Sequence, residues 1–183
     1  MKFSPSSMLM GAASVALVGA LGMAQIVRLD LAQMVAQTDG AIYGTIVDRS
    51  VIRIDHPIDG PELYYTTLFI RGRLLGSAQT TTVGVTFAGG FIDDEHGVWN
   101  SEAPSADETR LGNRVLAFYK WSDNMGGDLA GNALYASHGG LYTTLQAGGE
   151  TIIQGRGDGY AVRQNETILD LEQRVEALRE SQK

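Results

Sequence analysis

The chain predicts a mainly β fold, an antiparallel barrel with one helix before it and one after it. Three observations carry this expectation. Runs of apolar and β-branched residues at alternating positions recur between residues 41 and 163, separated by short polar links. Glycine is abundant, at 23 of 183 residues, and pairs such as Gly139-Gly140 and Gly148-Gly149 punctuate the runs as hairpin turns do. The apolar period lengthens to that of a helix in only two places, the stretch from Ile26 to Gly40 and from Glu166 onward.

Composition narrows the function classes. A chain of 183 residues suits one domain with a substantial core. A net charge of −7 and the absence of any Lys/Arg run speak against a nucleic-acid partner, since phosphate binding needs a basic face. Cysteine is absent, which rules out disulfides, thiol catalysis and thiolate metal sites, so core packing alone must hold the fold.

Residues 1–24 have the three parts of a secretory signal peptide. Lys2 supplies the positive start, residues 8–21 are apolar, and Gly22-Met23-Ala24 places small residues at the positions that precede cleavage. The competing reading is an uncleaved membrane anchor, because residues 8–26 carry no charge and approach the ~20 residues a span needs. Dilution by Gly and Ala favours cleavage. Either reading places the remainder in an extracytoplasmic space, secreted, periplasmic or at the cell surface.

The barrel domain is expected over residues 25–163. Ile26, Leu29, Met34 and Val35, with Leu31 and Ala32 nearby, give helical spacing; Asp30 is the expected N-cap of a helix starting at Leu31, and Gly40 is the expected left-handed stop. Strands follow at residues 41–54, 63–75 and 80–87, joined as a meander. Gly44 marks a bulge or a close backbone approach in the first, and the polar break at 48–50 marks another irregularity. The turn cluster at 56–61 contains two prolines that cannot continue the ladder. Residues 88–111 form a long acidic loop with Phe91, Val98 and Trp99 as its expected anchors to the barrel; a loop of this length is usually functional or mobile. Further strands are expected at 115–121, 133–137, 141–146 and 151–154, with 160–163 as a last one. Tyr43, Phe69, Val85 and Leu116 are expected to surround one common centre. Residues 164–183 form the C-terminal helix, where Ile168, Leu171, Val175 and Leu178 repeat at heptad-like spacing and Asn165 or Thr167 can cap. That stripe suits either packing on its own barrel or a partner helix.

The order of these parts carries a resemblance. The stretch LAQMVAQTDGAIYGTI, a strand ending Leu75-Gly76, Val85-Thr86-Phe87-Ala88-Gly89-Gly90, and Gly112-Asn113-Arg114-Val115-Leu116-Ala117-Phe118 together resemble a group of uncharacterised secreted bacterial β-barrel proteins. The same order is distantly similar to the netrin-module barrel of tissue metalloproteinase inhibitors, an OB-type fold. The resemblance spans about residues 29–145 and implies an OB-like barrel. Those inhibitors act through an N-terminal Cys that chelates the protease zinc; this chain has none, so that mechanism does not carry over and inhibition by loop insertion is the form left open.

Few residues suggest chemistry. Asp93, Asp94, Glu95 and His96 are the densest set of ligand types, a candidate Ca²⁺-type metal site, although three adjacent acids cannot all converge and a solvated acidic loop is the plainer reading. His56, His96 and His138 lack metal-ligand spacing, and adjacent Ser137-His138 is not a relay. Asp48, Asp55 and Glu62 lie near strand ends as possible paired carboxylates. Arg156-Gly157-Asp158 spells an adhesion tripeptide but suits a plain turn, and Asn165-Glu166-Thr167 matches a glycosylation acceptor. Tyr64, Tyr65, Phe69, Phe118, Tyr119, Trp121 and Tyr142 read as core, or on one face as a stacking platform. No cofactor motif is present. The expected function is therefore a secreted or envelope, non-enzymatic protein-binding or assembly module. It would meet another protein, or itself, through edge strands, the 88–111 loop or the 165–181 helix, and a membrane only through an uncleaved N-terminal segment. Two rivals are a protease-inhibitor-like protein and a carboxylate-dependent hydrolase.

Overall fold

The structure, a computed structural model, describes residues 29–55 and 60–181. The signal-peptide expectation, His56 and most of the 56–61 turn lie outside the described residues.

The chain is mainly β with two helices. Helix α1 (Leu31–Gln37) leads into strand β1 (Gly40–Ile54), followed by β2 (Leu63–Leu74), β3 (Thr80–Ala88), the two-residue strands β4 (Gly90–Phe91) and β5 (Gly97–Val98), and β6 (Arg114–Ser122). Then come β7 (Gly131–Leu134), a 3-10 turn (Ser137–Gly140), β8 (Leu141–Ala147), β9 (Glu150–Ile153), β10 (Glu166–Thr167) and α2 (Ile168–Ser181).

Strands β1, β2, β3, β7 and β6 pair in that order, and β6 pairs back on β1, which closes a five-stranded barrel. The expectation of a wholly antiparallel sheet is corrected here. The β3–β7 pairing, with Thr86 opposite Ala133, is parallel, so the sheet is mixed. The long connection from β3 to β6 and the hairpin from β6 to β7 bring β7 beside β3 in the same direction. Strands β8, β9 and β10 continue the sheet as a wing from the edge of β6.

Strand β1 belongs to two ladders, since residues 42–54 pair with β2 and residues 40–45 with β6. It turns between them with one extra residue at Val47, where the register shifts between Ile46 and Asp48. Gly44 is the close approach rather than the bulge. It lies opposite Gly72, and a Cβ there would stand 2.3 Å from the Arg71 carbonyl oxygen. Gly40 is not a left-handed helix stop: α1 ends on Thr38 in extended geometry, and Gly40 already lies in β1. Its small size matters because a Cβ would meet the Tyr119 hydroxyl at 2.8 Å. At the other end of α1 the expected cap is present, with the Asp30 side chain and the Gln33 side chain forming a reciprocal capping box.

Two apolar layers flank the sheet. Ile42, Ile46, Leu68, Ile70, Val85, Val115, Ala117, Leu134 and Leu141 fill the barrel. Outside it, Leu116 and Phe118 join Met34 and Val35 of α1, Leu171 and Val175 of α2, and Tyr142 and Ile153 of the wing. The four residues expected around one centre are thus divided: Val85 points in, while Tyr43 and Leu116 belong to the outer layer and Phe69 is half-buried outside the barrel cluster. Covering both faces of β6 makes Val115–Phe118 a continuous buried run, so alternation there does not say which face is interior.

The C-terminal helix packs on its own chain. Arg73 of β2 makes a two-pronged ion pair with Glu172, and Arg179 donates to the Leu75 carbonyl at 3.2 Å. Thr167 caps it, its hydroxyl accepting from the Asp170 amide at 3.0 Å. The strand expected at 160–163 is absent; β10 instead bridges β9 immediately before the helix. Among the described residues no helix is long and apolar enough to cross a membrane.

Candidate functional site

The segment between β3 and β6 crosses the barrel mouth on which β1, β2 and β3 converge. It leaves β3 under tight control. The Gly89 amide donates to the Tyr64 carbonyl at 2.7 Å, and the buried Thr66 hydroxyl donates to the Gly89 carbonyl at 2.7 Å. Gly90 follows at φ +131, where a Cβ would lie 2.2 Å from the Thr66 oxygen. Glycine is required there by both space and backbone.

Beyond that point the segment divides into a projecting half and a pinned half. The projecting half is the β4–β5 hairpin. Its tip is organised by Asp93, one oxygen of which accepts from the amides of Glu95 (2.9 Å) and His96 (2.8 Å) while the His96 Nδ1 sits 2.8 Å away. The His96 contact, followed by the amides, holds the Asp93 carboxyl below the usual range. Asp93 and His96 are thus brought together, but Asp94 and Glu95 do not join them: among the described residues no three His, Asp or Glu side chains form a group able to hold a metal ion.

Phe91, Val98 and Trp99 do not anchor this hairpin, contrary to expectation. Phe91 is 52% exposed, Ile92 51%, Val98 44% and Trp99 76%. Backbone and polar bonds position the hairpin instead, which leaves its apolar side chains in solvent.

The pinned half is a single helical turn closed by a capping box. The Ser105 amide and hydroxyl donate to one Glu108 oxygen at 2.8 and 2.9 Å, and the Glu108 amide returns to the Ser105 hydroxyl at 3.3 Å. The other Glu108 oxygen pairs with Arg156, whose guanidinium also donates to the Leu141 carbonyl and faces the rings of Tyr142 and Tyr160. Burial pushes the Glu108 pKa up, but the Ser105 bonds and Arg156 outweigh it and hold the carboxyl below its ordinary 4.5. A depressed carboxyl stabilises the fold above its unfolded pKa and loses that contribution as pH falls through the folded value. Glu108→Gln is expected to cost about 2 kcal/mol at neutral pH. In thermal melts from pH 7 to pH 3, the gap between wild type and variant should hold down to about 4.5 and then close.

Between the two halves and the barrel lies a cleft of about 520 Å³. One wall is β1, through Arg49 and Val51; the floor is Thr66 and Phe87; the other wall carries Phe91 and Trp99. Arg49 and Val51 lie opposite Leu68 and Thr66, so they continue the interior-facing register of the barrel out to its mouth. Arg49 is the only ionisable side chain of the lining, and it has no ion-pair partner among the described residues.

The other residues singled out in the sequence lie elsewhere. His138 stands in the 3-10 turn with its ring nitrogens 3.2 Å from the Glu102 carbonyl and 3.3 Å from the Tyr160 hydroxyl. Asp48 accepts from the Arg49 amide, and Glu62 is taken up by Arg53 and the Tyr64 hydroxyl. In the Arg156-Gly157-Asp158 tripeptide, Arg156 is committed to Glu108 and Asp158 to Arg163, and Gly157 makes the turn at φ +90. Phe118 and Tyr142 are core, packed edge to face, while Trp121 is 53% exposed with its indole donating to Asp123. Arg49 and Val51 carry no sequence signal of function: Arg49 falls in the polar break at 48–50, and Val51 is one apolar residue of the strand that follows.

Comparison with protein-family models, with curated proteins and with solved structures finds no match to this chain.

Proposed function

We propose that this chain is an extracytoplasmic, non-enzymatic protein-binding module on an OB-type barrel, and that it meets its partner with the 88–111 loop. The observation that carries the reading is the projecting hairpin, where Phe91, Ile92, Val98 and Trp99 are all exposed by 44% or more within nine residues. Clustered apolar exposure of this kind is costly in water and marks contact surfaces, and tryptophan is the residue most often found at their energetic centre. The strand order β1-β2-β3-β7-β6-β1 with one parallel closure supports the OB type. The segment at residues 1–24 supports export. Among the described residues the cleft beside the hairpin is lined by one arginine and by neither a carboxylate nor an imidazole, which favours binding over carboxylate-dependent hydrolysis.

The test is affinity capture from the extracytoplasmic fraction of the producing cells with wild-type and Trp99→Ala baits. A discrete partner retained by wild type and lost from the variant is expected, while the variant's stability stays within about 0.5 kcal/mol of wild type. A strictly monomeric protein that captures nothing, or a partner indifferent to Trp99, would remove the reading.

A further inference from the structure

Strand β1 is half-finished. Residues 42–45 are paired on both sides, but from Asp48 to Ile54 the strand is paired with β2 alone, because β6 begins at Arg114 opposite Thr45. The last contact on the open side is at Ile46, which receives the Gly112 amide and donates to the Asn113 carbonyl. The parity of the ladder says which groups are left over. Ala41 accepts from Leu75, so odd residues face β2 before the bulge, and the extra residue Val47 hands that side to the even residues after it. The backbone N–H and C=O groups of Arg49, Val51 and Arg53 therefore point to the open side. Among the described residues none of them has a backbone partner there; the Arg49 amide is met only by the side chain of Asp48. The cleft described above runs along this edge, with Val51 on one wall and Phe91 and Trp99 on the other.

We propose that the cleft receives an extended peptide segment of the partner, added as a strand to β1 at Arg49–Arg53, with a carboxylate set against Arg49 and an apolar side chain against Val51. This rests on the reading of the chain as a protein-binding module and names the chemistry of the partner. Strand addition supplies affinity through the backbone and specificity through the alternate side chains that enter the pocket. Here those side chains lie opposite residues 49, 51 and 53, and Arg49 is the only charge in the lining among the described residues. A second copy of this chain is the poorer occupant. Antiparallel pairing of two copies about Val51 would set Arg49 of each against Arg53 of the other, between chains that each carry −7. Glu62 already engages Arg53 at 3.2 Å, which leaves Arg49 as the cation of this edge with no ion-pair partner among the described residues.

The test uses ¹⁵N-labelled protein and three capped peptides: Thr-Glu-Thr-Val-Thr-Glu-Thr, the same peptide with Lys for Glu, and the first peptide N-methylated at Val. The Glu peptide is expected to slow amide exchange at Val51 and Arg53 by at least about tenfold and to shift the Trp99 indole signal. It should bind at least about tenfold more tightly than either of the other two. Arg49→Glu, a change at an exposed side chain, should reverse the preference toward the Lys peptide. Shifts at Trp99 with unchanged exchange at Val51 and Arg53 would overturn strand addition while leaving the loop as a contact surface. Equal binding of the N-methylated peptide, or no binding by the Glu peptide at about millimolar concentration, would also overturn it. Concentration-dependent dimerisation that protects the same amides would replace the peptide with a second copy.

Discussion

Gly72→Val is expected to cost at least about 4 kcal/mol and to lower the melting temperature by on the order of 10 °C or more. Gly72 faces Gly44 where β1 turns from one ladder to the other, and a Cβ on Gly72 would lie 2.0 Å from the Tyr43 carbonyl oxygen and 2.4 Å from the Gly44 Cα. Both obstacles are backbone atoms of a paired strand, so no side chain can swing aside and the two strands must part. The turn exists because one strand serves β2 and β6 together, so separation there loosens two ladders at once. Gly131→Ala is the matched control. An added Cβ at Gly131 meets only the flexible end of Met125, at 3.4 Å, and should change stability by no more than about 1 kcal/mol. Thermal denaturation followed by circular dichroism separates the two outcomes; equal melting temperatures for both variants would mean that β1 and β2 do not approach this closely.

Leu171→Ala is expected to cost about 3 kcal/mol, and Leu169→Ala less than about 0.5 kcal/mol. The two leucines stand two positions apart on α2, on opposite faces: Leu171 is fully buried in the outer apolar layer, whereas Leu169 is 61% exposed. Leu171 shares that layer with Met34 and Val35 of α1 and with Tyr142 and Ile153 of the wing, so the cavity left by truncation has rigid walls and cannot close. The Arg73–Glu172 pair holds the helix beside it and limits relaxation further. Denaturant titration of both variants measures the contrast. A small effect at Leu171 would mean that α2 does not use this stripe to pack on its own barrel, and the alternative use for a partner helix would regain force.

Much of the fold is legible in the sequence because local physics dictates it. Alternation marks β1, β2, β3 and β6, and the Asp30 cap and the 3,4,3 stripe mark the two helices. Barrel closure is less legible, since the parallel contact between Thr86 and Ala133 joins segments with no shared pattern and depends on a long connection. Interior and exterior are confused for a different reason: a period of two names two faces, but α1, α2 and the wing bury the outer face as well as the barrel burying the inner one. The bulge at Val47 then exchanges the faces of β1 halfway along. At the candidate site, Phe91, Val98 and Trp99 read as anchors because apolar residues in a polar loop normally are. Their exposure follows from the Asp93 turn and the Gly89–Thr66 bond, polar contacts that position the hairpin without burying it. The open edge at Arg49–Arg53 is invisible locally, because it arises from where another strand begins.

The partly unpaired first strand is tested most directly by amide hydrogen exchange in the free protein, residue by residue along β1. Protection should be continuous over residues 42–46 and should then alternate, with Ser50 and Ile52 slow and Val51 and Arg53 fast. Uniform protection through Arg53 would show the edge to be covered already, and uniform rapid exchange from Asp48 onward would show that β1 and β2 do not pair beyond the bulge.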